Sequence, residues 1–290
     1  MARIAIVGPG AIGSVMAAWL AQIRTHEVVV CARRTLTELV VETPEATITA
    51  HPKVFTTTEA VPPVDWVLVA TKTYDSASAS AWLKPLCAQG AAVAILQNGV
   101  EQRSMFVPYL RPEQILPVLV YCPAERSTPT HVRQRRKAEL VAPDDELGNR
   151  FARLFDGTRV AITLTNDFQT AAWKKLCVNA VGAINALLLQ PAGIFNDEGI
   201  ANLARSLMRE CIAVGRAERA VLDDSYIEQV LQLYLNNPAD SINSLHADRL
   251  AGRPMEVDSR NGVIVRLGRK HGIATPCNEM AVALLTAISG

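Results

Sequence analysis

The sequence predicts an α/β domain followed by an all-helical one. Three observations predict it. A strand, a glycine-rich turn and a helix open the chain without preamble. Long apolar runs at residues 64–70, 91–96 and 115–121 then read as strands of the kind buried on both faces of a parallel sheet. Near residue 165 the strand signals stop and amphipathic helical periodicity takes over. The expected division is 1–165 and 166–290.

Taken in order, residues 3–7 form the first strand. Gly8-Pro9-Gly10-Ala11-Ile12-Gly13 follows at once, and residues 14–22 read as a helix rich in alanine and large apolar side chains. Strand before and helix after give G-x-G-x-x-G its meaning. Gly8 serves the tight turn, Gly10 lets backbone approach a pyrophosphate, and Gly13 lets the helix pack on the strand. The helix N-terminus offers free N–H groups and a positive dipole end to phosphates. This is the dinucleotide site of a Rossmann-type domain.

The second strand, residues 27–31, ends in Ala32-Arg33-Arg34. An acid here would hold the ribose 2′-hydroxyl of NAD; arginine suits a 2′-phosphate. Arg33 therefore points to NADP(H). Residues 46–50 are a short strand. Residues 64–70 end in Thr71-Lys72, and 91–96 in Gln97-Asn98-Gly99, so Lys72 and Asn98 sit at the carboxyl edge of the sheet, where ligands bind. Residues 132–141 and 159–164 read as closing strands, with 143–146 as a polar loop between them.

The second half opens on a helix from about 172 to 189. Lys175 and Asn179, at i and i+4, share a face with Ala172, Gly182, Ala183 and Ala186. Most helical lysines are solvated, and small residues on a helix face commonly serve close packing. Asn166 with Gln169 gives a plausible cap. Helices follow at 200–220, 226–235, 241–250, 257–270 and 278–288. Ser244 lies near the start of one, and Glu256 with Asp258 opens another, where a carboxylate is often just a dipole-compensating cap.

Composition narrows the class. The 290 residues carry a formal net charge of +1, which argues against nucleic acid or an acidic membrane surface. The basic cluster at 133–137 lacks interleaved aromatics and reads as a solvated edge. Six cysteines include no C-x-x-C pair, which suits reduced thiols in a cytosolic protein; neither they nor the five histidines show metal-ligand spacing, so no metal is expected. No leader peptide is expected before the first strand. The longest apolar stretch is too short and too polar to span a bilayer.

Jointly, Gly8-Pro9-Gly10-Ala11-Ile12-Gly13, Lys72, Gln97-Asn98-Gly99, Trp173-Lys174-Lys175-Leu176-x-x-Asn179, Ser244, Glu256-Val257-Asp258-x-x-Asn261-Gly262 and His271-Gly272-Ile273-Ala274-Thr275-Pro276 resemble the ketopantoate reductases (2-dehydropantoate 2-reductases) over nearly the whole chain. The resemblance implies NADPH-dependent reduction of ketopantoate to pantoate, on the route to pantothenate and coenzyme A. It implies Lys175 as general acid, Asn98 orienting that lysine near the nicotinamide, and Asn179 and Ser244 holding the substrate's hydroxyl and carboxylate. Glu256 contacts the cofactor and helps set the geometry. Arg33 and Lys72 serve the adenosine 2′-phosphate. A lysine of ordinary pKa, about 10.4, is protonated at neutral pH without tuning.

One departure bears on substrate. The family commonly carries a second substrate asparagine four residues after the first, and here that position is Ala183. Asn185 lies about 200° round the helix from Ala183 and compensates only if a π-bulge distorts it. Another 2-keto acid reductase, of the 2-hydroxyacid or opine type, is the alternative, and a non-catalytic NADPH sensor a remoter one. The helical half leaves room for a homodimer interface.

Overall fold

The computed structural model describes residues 1–288. It divides into two compact units, Met1–Phe168 and the chain from Gln169 onward.

The first unit begins β1 (Ala2–Val7), α1 (Ala11–Ala21), β2 (His26–Cys31), β3 (Leu39–Glu42), β4 (Thr47–Ala50), β5 (Lys53–Phe55) and β6 (Trp66–Val69). It continues α2 (Ser76–Leu86), β7 (Ala92–Ile95), α3 (Gln102–Phe106), β8 (Ile115–Pro117), β9 (Leu119–Tyr121), β10 (Ala124–Arg126), β11 (His131–Gln134), β12 (Glu139–Pro143), α4 (Glu146–Arg153) and β13 (Ala161–Thr165). The main sheet runs β5-β2-β1-β6-β7-β8, with every neighbouring pair parallel. That is the doubly wound order, with its switch point between β1 and β6.

Alternation along these strands builds two cores. Ile4, Ile6, Trp66 and Leu68 pack on one face with Val15, Met16 and Leu20 of α1. Ala5, Val7, Val67 and Val69 pack on the other with Ala79, Leu83 and Leu86 of α2. Strands buried on both faces need apolar residues at every position, which is why they read as unbroken apolar runs.

Three local expectations change. Residues 115–121 form two strands: β8 pairs with β7, while β9 leaves the main sheet and pairs with β12. Pro117, which has no N–H to give a ladder, stands at the break. Residues 132–141 also split, because the charged stretch at 135–137 turns to solvent between β11 and β12. The polar segment at 143–146 starts a helix: Asp145 caps α4 by accepting from Gly148 N at 2.7 Å.

The second unit is helical throughout its described residues. It contains α5 (Phe168–Leu188, beginning one residue before the border), α6 (Glu198–Ala217), α7 (Ser225–Leu235), α8 (Ser244–Leu250), α9 (Val263–His271) and α10 (Pro276–Ala287). A π-turn over Asp258–Gly262 leads into α9, where a regular helical start was expected. Gln169 caps nothing; its amide donates to Glu218 O at 3.2 Å. α8 is capped by Asn243, whose Oδ1 accepts from Leu245 N and His246 N, both at 3.0 Å.

Side chains from several elements grip the carbonyls of α5. Tyr234 donates to Val178 O at 2.8 Å, Asn261 to Ala180 O at 3.1 Å and Asn243 to Gly182 O at 3.1 Å, and Arg249 reaches Ala186 O and Leu187 O. Asn261 also donates to Asn278 Oδ1 at 2.9 Å, and Glu210 accepts from the backbone N–H groups of Cys277 and Asn278. These bonds fix the pitch and rotation of α5, and with them the direction of its side chains.

All six cysteines are free; Cys177 Sγ and Cys211 Sγ lie 3.3 Å apart between α5 and α6. Among the described residues no helix is long and apolar enough to cross a membrane.

Candidate active site

The glycine loop of the first unit gives each glycine a separate reason. Gly8 has φ +90°, and a Cβ there would sit 2.6 Å from Thr71 Cγ2. A Cβ on Gly13 would sit 2.2 Å from Gly8 O, so the helix comes this close only without one. Gly10 faces open space, which leaves its backbone bare toward a ligand. Pro9 O accepts from Ser14 Oγ at 3.2 Å and Arg126 Nη1 at 3.3 Å, which pins the turn. Ala11 and Ile12 open α1, which has no side-chain cap and no acid in its first turn. Its N–H groups and dipole are therefore available to an anion.

Arg33, just past β2, has a side chain 91% exposed, and its ion pair to Asp75, at 3.8 Å, is loose. An uncapped helix end, a bare glycine and an exposed cation after β2 fit a dinucleotide carrying a 2′-phosphate.

At the carboxyl edge of the sheet, Lys72 follows β6 and Asn98 follows β7. Gln97 joins these two loops: its Nε2 donates to Thr71 Oγ1 at 3.0 Å and Lys72 O at 3.1 Å, and its Oε1 accepts from Ser76. Gly99, at φ +105°, turns the backbone directly after Asn98. The positioning role of Gln97 has no local sequence signal, since its partners come from another strand.

In the second unit, Lys175 and Asn179 lie one turn apart on α5, both half-buried. The Asn179 amide makes no hydrogen bond to the described residues. Glu256 (3% exposed) and Arg260 (2% exposed) are buried nearby, and both act electrostatically on Lys175. Arg260 Nη2 donates to Ser244 Oγ at 2.7 Å. Lys175, Glu256, Arg260 and Ser244 thus form one constellation from three segments.

Burial, with the Arg260 charge adding to it and the Glu256 charge opposing, brings the Lys175 pKa down from 10.5 to about 7. The expectation of an ordinary lysine is therefore corrected. Desolvation disfavours the ammonium, even though the residue as a whole keeps part of its surface open. An amine titrating near neutrality gives or takes a proton readily in either direction.

Arg260 went unread in the sequence because a single arginine two residues after Asp258 resembles a helix-surface charge. The π-turn supplies the reason it is inside: widening the helix by one residue redirects a side chain that regular pitch would place elsewhere.

Two models of the ketopantoate reductase PanE/ApbA family match the chain, one over residues 4–146 and its C-terminal counterpart over 167–289. The chain belongs to the ketopantoate reductase family. A 2-dehydropantoate 2-reductase of Caulobacter vibrioides is 53% identical over 287 residues, covering 99% of each chain. One from Mycobacterium tuberculosis is 38% identical over 288 residues, covering 99% of this chain and 97% of its own. The crystal structure of a ketopantoate reductase from Ralstonia eutropha superposes with a TM-score of 0.91 at 32% identity, covering 99% and 98%.

Against the family pattern, Ala183 is fully buried and Asn185 is 1% exposed. α5 shows no bulge. Asn185 donates to Gln190 O at 2.8 Å and accepts from Asn243 at 3.0 Å. It holds the end of α5 and does not replace the family's second asparagine.

Proposed function

We propose that this chain reduces 2-dehydropantoate to pantoate with NADPH, and that Lys175 is its general acid. The observation that carries this reading is the desolvated Lys175 amine, brought near neutral pH by burial and the charges of Arg260 and Glu256. Full-length similarity to named 2-dehydropantoate 2-reductases supports the substrate.

The bound dinucleotide supplies the hydride. The Gly8–Gly13 loop and the α1 N-terminus hold its pyrophosphate, and Arg33 with Lys72 its 2′-phosphate. Asn98 serves the nicotinamide end, and Glu256 contacts the cofactor. As negative charge builds on the C2 oxygen, the Lys175 ammonium stabilises it and transfers its proton. Acid catalysis of this kind contributes roughly 10²–10⁴ in rate. Asn179, whose amide is uncommitted, and Ser244 bind substrate. Glu256 holds the lysine pKa up against burial, so that enough of it is protonated at neutral pH. A homodimer belongs to the same reading; a Staphylococcus aureus ketopantoate reductase is described as dimeric.

The test is loss of NADPH absorbance against 2-dehydropantoate and a panel of other 2-keto acids. Fastest turnover of 2-dehydropantoate is expected. Turnover of another acid with none of 2-dehydropantoate overturns the substrate. NADPH binding without turnover of any overturns the enzyme reading.

A further inference from the structure

Arg126 is a cation that the first unit brings to its glycine turn with no acid to meet it. It ends β10, where successive side chains alternate between faces. Ala124 packs on the core that α1 helps to build, and Arg126, two residues on, leans the same way: its Nη1 donates to Pro9 O at 3.3 Å. Glu125 lies on the other face, where Arg135 Nη2 donates to its two oxygens at 2.9 and 2.8 Å. The acid next to Arg126 in sequence is therefore engaged elsewhere, and among the described residues no carboxylate pairs with Arg126. The Pro9 carbonyl is neutral and shared with Ser14 Oγ. It occupies one of five guanidinium N–H groups and balances no charge. The same place is positive for a second reason. α1 begins with no side-chain cap and no acid in its first turn, so its end carries about half a positive charge. A guanidinium beside a helix N-terminus is a repulsive pair, and the arrangement becomes favourable when an anion lies against both.

We propose that Arg126 is a further cofactor ligand, which holds the dinucleotide's pyrophosphate together with the α1 N-terminus. This deepens the reading of the glycine turn as the dinucleotide site and rests on it. A pyrophosphate carries a charge on each phosphate, so the helix end and the arginine are both satisfied by one group. The arginine is presented by an ordered strand end: Ser127 N, next to it, donates to His131 O at 3.0 Å and closes the β10–β11 hairpin. The cations of the first unit then divide the cofactor between them. Arg33, after β2, serves the 2′-phosphate and separates NADP(H) from NAD(H). Arg126 stands at the turn that both dinucleotides share, and it strengthens both without separating them.

Calorimetric titration of the full chain with NADPH, NADH and adenosine 2′-phosphate tests this. Arg126→Met is expected to raise the Kd of NADPH and of NADH by the same factor, roughly 10-fold. The Kd of adenosine 2′-phosphate, which has no pyrophosphate, is expected to stay unchanged, which also shows that the variant is folded. Arg126→Lys, which keeps the charge but loses the fork, is expected to recover part of the loss. A direct charge contact is screened by salt, so the Kd of NADPH should depend less steeply on ionic strength in Arg126→Met than in wild type. An unchanged Kd for both dinucleotides overturns the proposal. So does a loss confined to NADPH, which would assign the arginine to the 2′-phosphate. An equal loss with the salt dependence of wild type overturns it too, because the arginine would then act only by pinning Pro9. Wild type that binds neither dinucleotide overturns the cofactor reading and the proposal with it; tight wild-type binding that the substitution leaves untouched overturns the proposal alone.

Discussion

Replacing Glu256 by glutamine tests how the acid is tuned. The wild-type Lys175 pKa is about 7, and the Glu256 carboxylate is the charge that holds it up. Removing an opposite charge lowers the pKa of an amine, so Glu256→Gln should lower that of the lysine, and a fall of about 2 units, within the range of close charge pairs, would bring it to about 5. At a pH of about 7.5 the protonated fraction is then about a quarter in wild type and about 0.3% for a pKa near 5. Reduction needs the ammonium, so kcat/KM at that pH should fall by roughly 10–10³. The assay is the pH profile of kcat/KM for keto-acid reduction at saturating NADPH. In wild type the rate should fall as pH rises through about 7, and in the variant the same limb should move to lower pH. Activity should return in part on acidification, with melting temperature read at each pH to show that the fold persists. A lower rate with an unmoved midpoint, or a midpoint shifted to alkaline pH, refutes the electrostatic account.

Lys175→Ala should lower turnover by about 10² or more while NADPH affinity stays within a few-fold; near-normal turnover removes the lysine from its role. Arg33→Ala should weaken NADPH far more than NADH, and equal loss of both undoes the 2′-phosphate assignment. Gly13→Ala forces a Cβ to 2.2 Å from Gly8 O; it should abolish NADPH binding and lower the melting temperature, and a variant that binds normally would show that the turn relaxes. Asn261→Ala strands the buried Asn278 Oδ1 and removes a tie to Ala180 O. Urea unfolding should register about 2–4 kcal/mol, and a change under about 1 kcal/mol would show that the network tolerates the gap.

The cofactor half of the chain was legible because its signals are local. A tight turn, an uncapped helix start and strands buried on both faces each demand particular residues in consecutive positions, so Gly8, Gly13 and the run at 64–70 announce themselves. The substrate half was legible at α5, where Lys175 and Asn179 fall at i and i+4. What stayed hidden depends on partners distant in sequence. Gln97 matters through loops after two different strands, and Asn243 through the end of α5. Arg260 depends on a π-turn, and no periodicity reading anticipates a helix one residue wider than usual. The Lys175 pKa was misjudged for the same reason: desolvation is a property of packing, and the sequence around position 175 shows only an amphipathic helix.

The ties on α5 make one helix the common anchor of the second unit. Tyr234, Asn243, Arg249 and Asn261 stand far apart in sequence, yet all four donate to carbonyls of that helix. A substitution at any of them therefore acts on the helix that carries Lys175 and Asn179, and its effect on stability is not expected to add simply to that of the others.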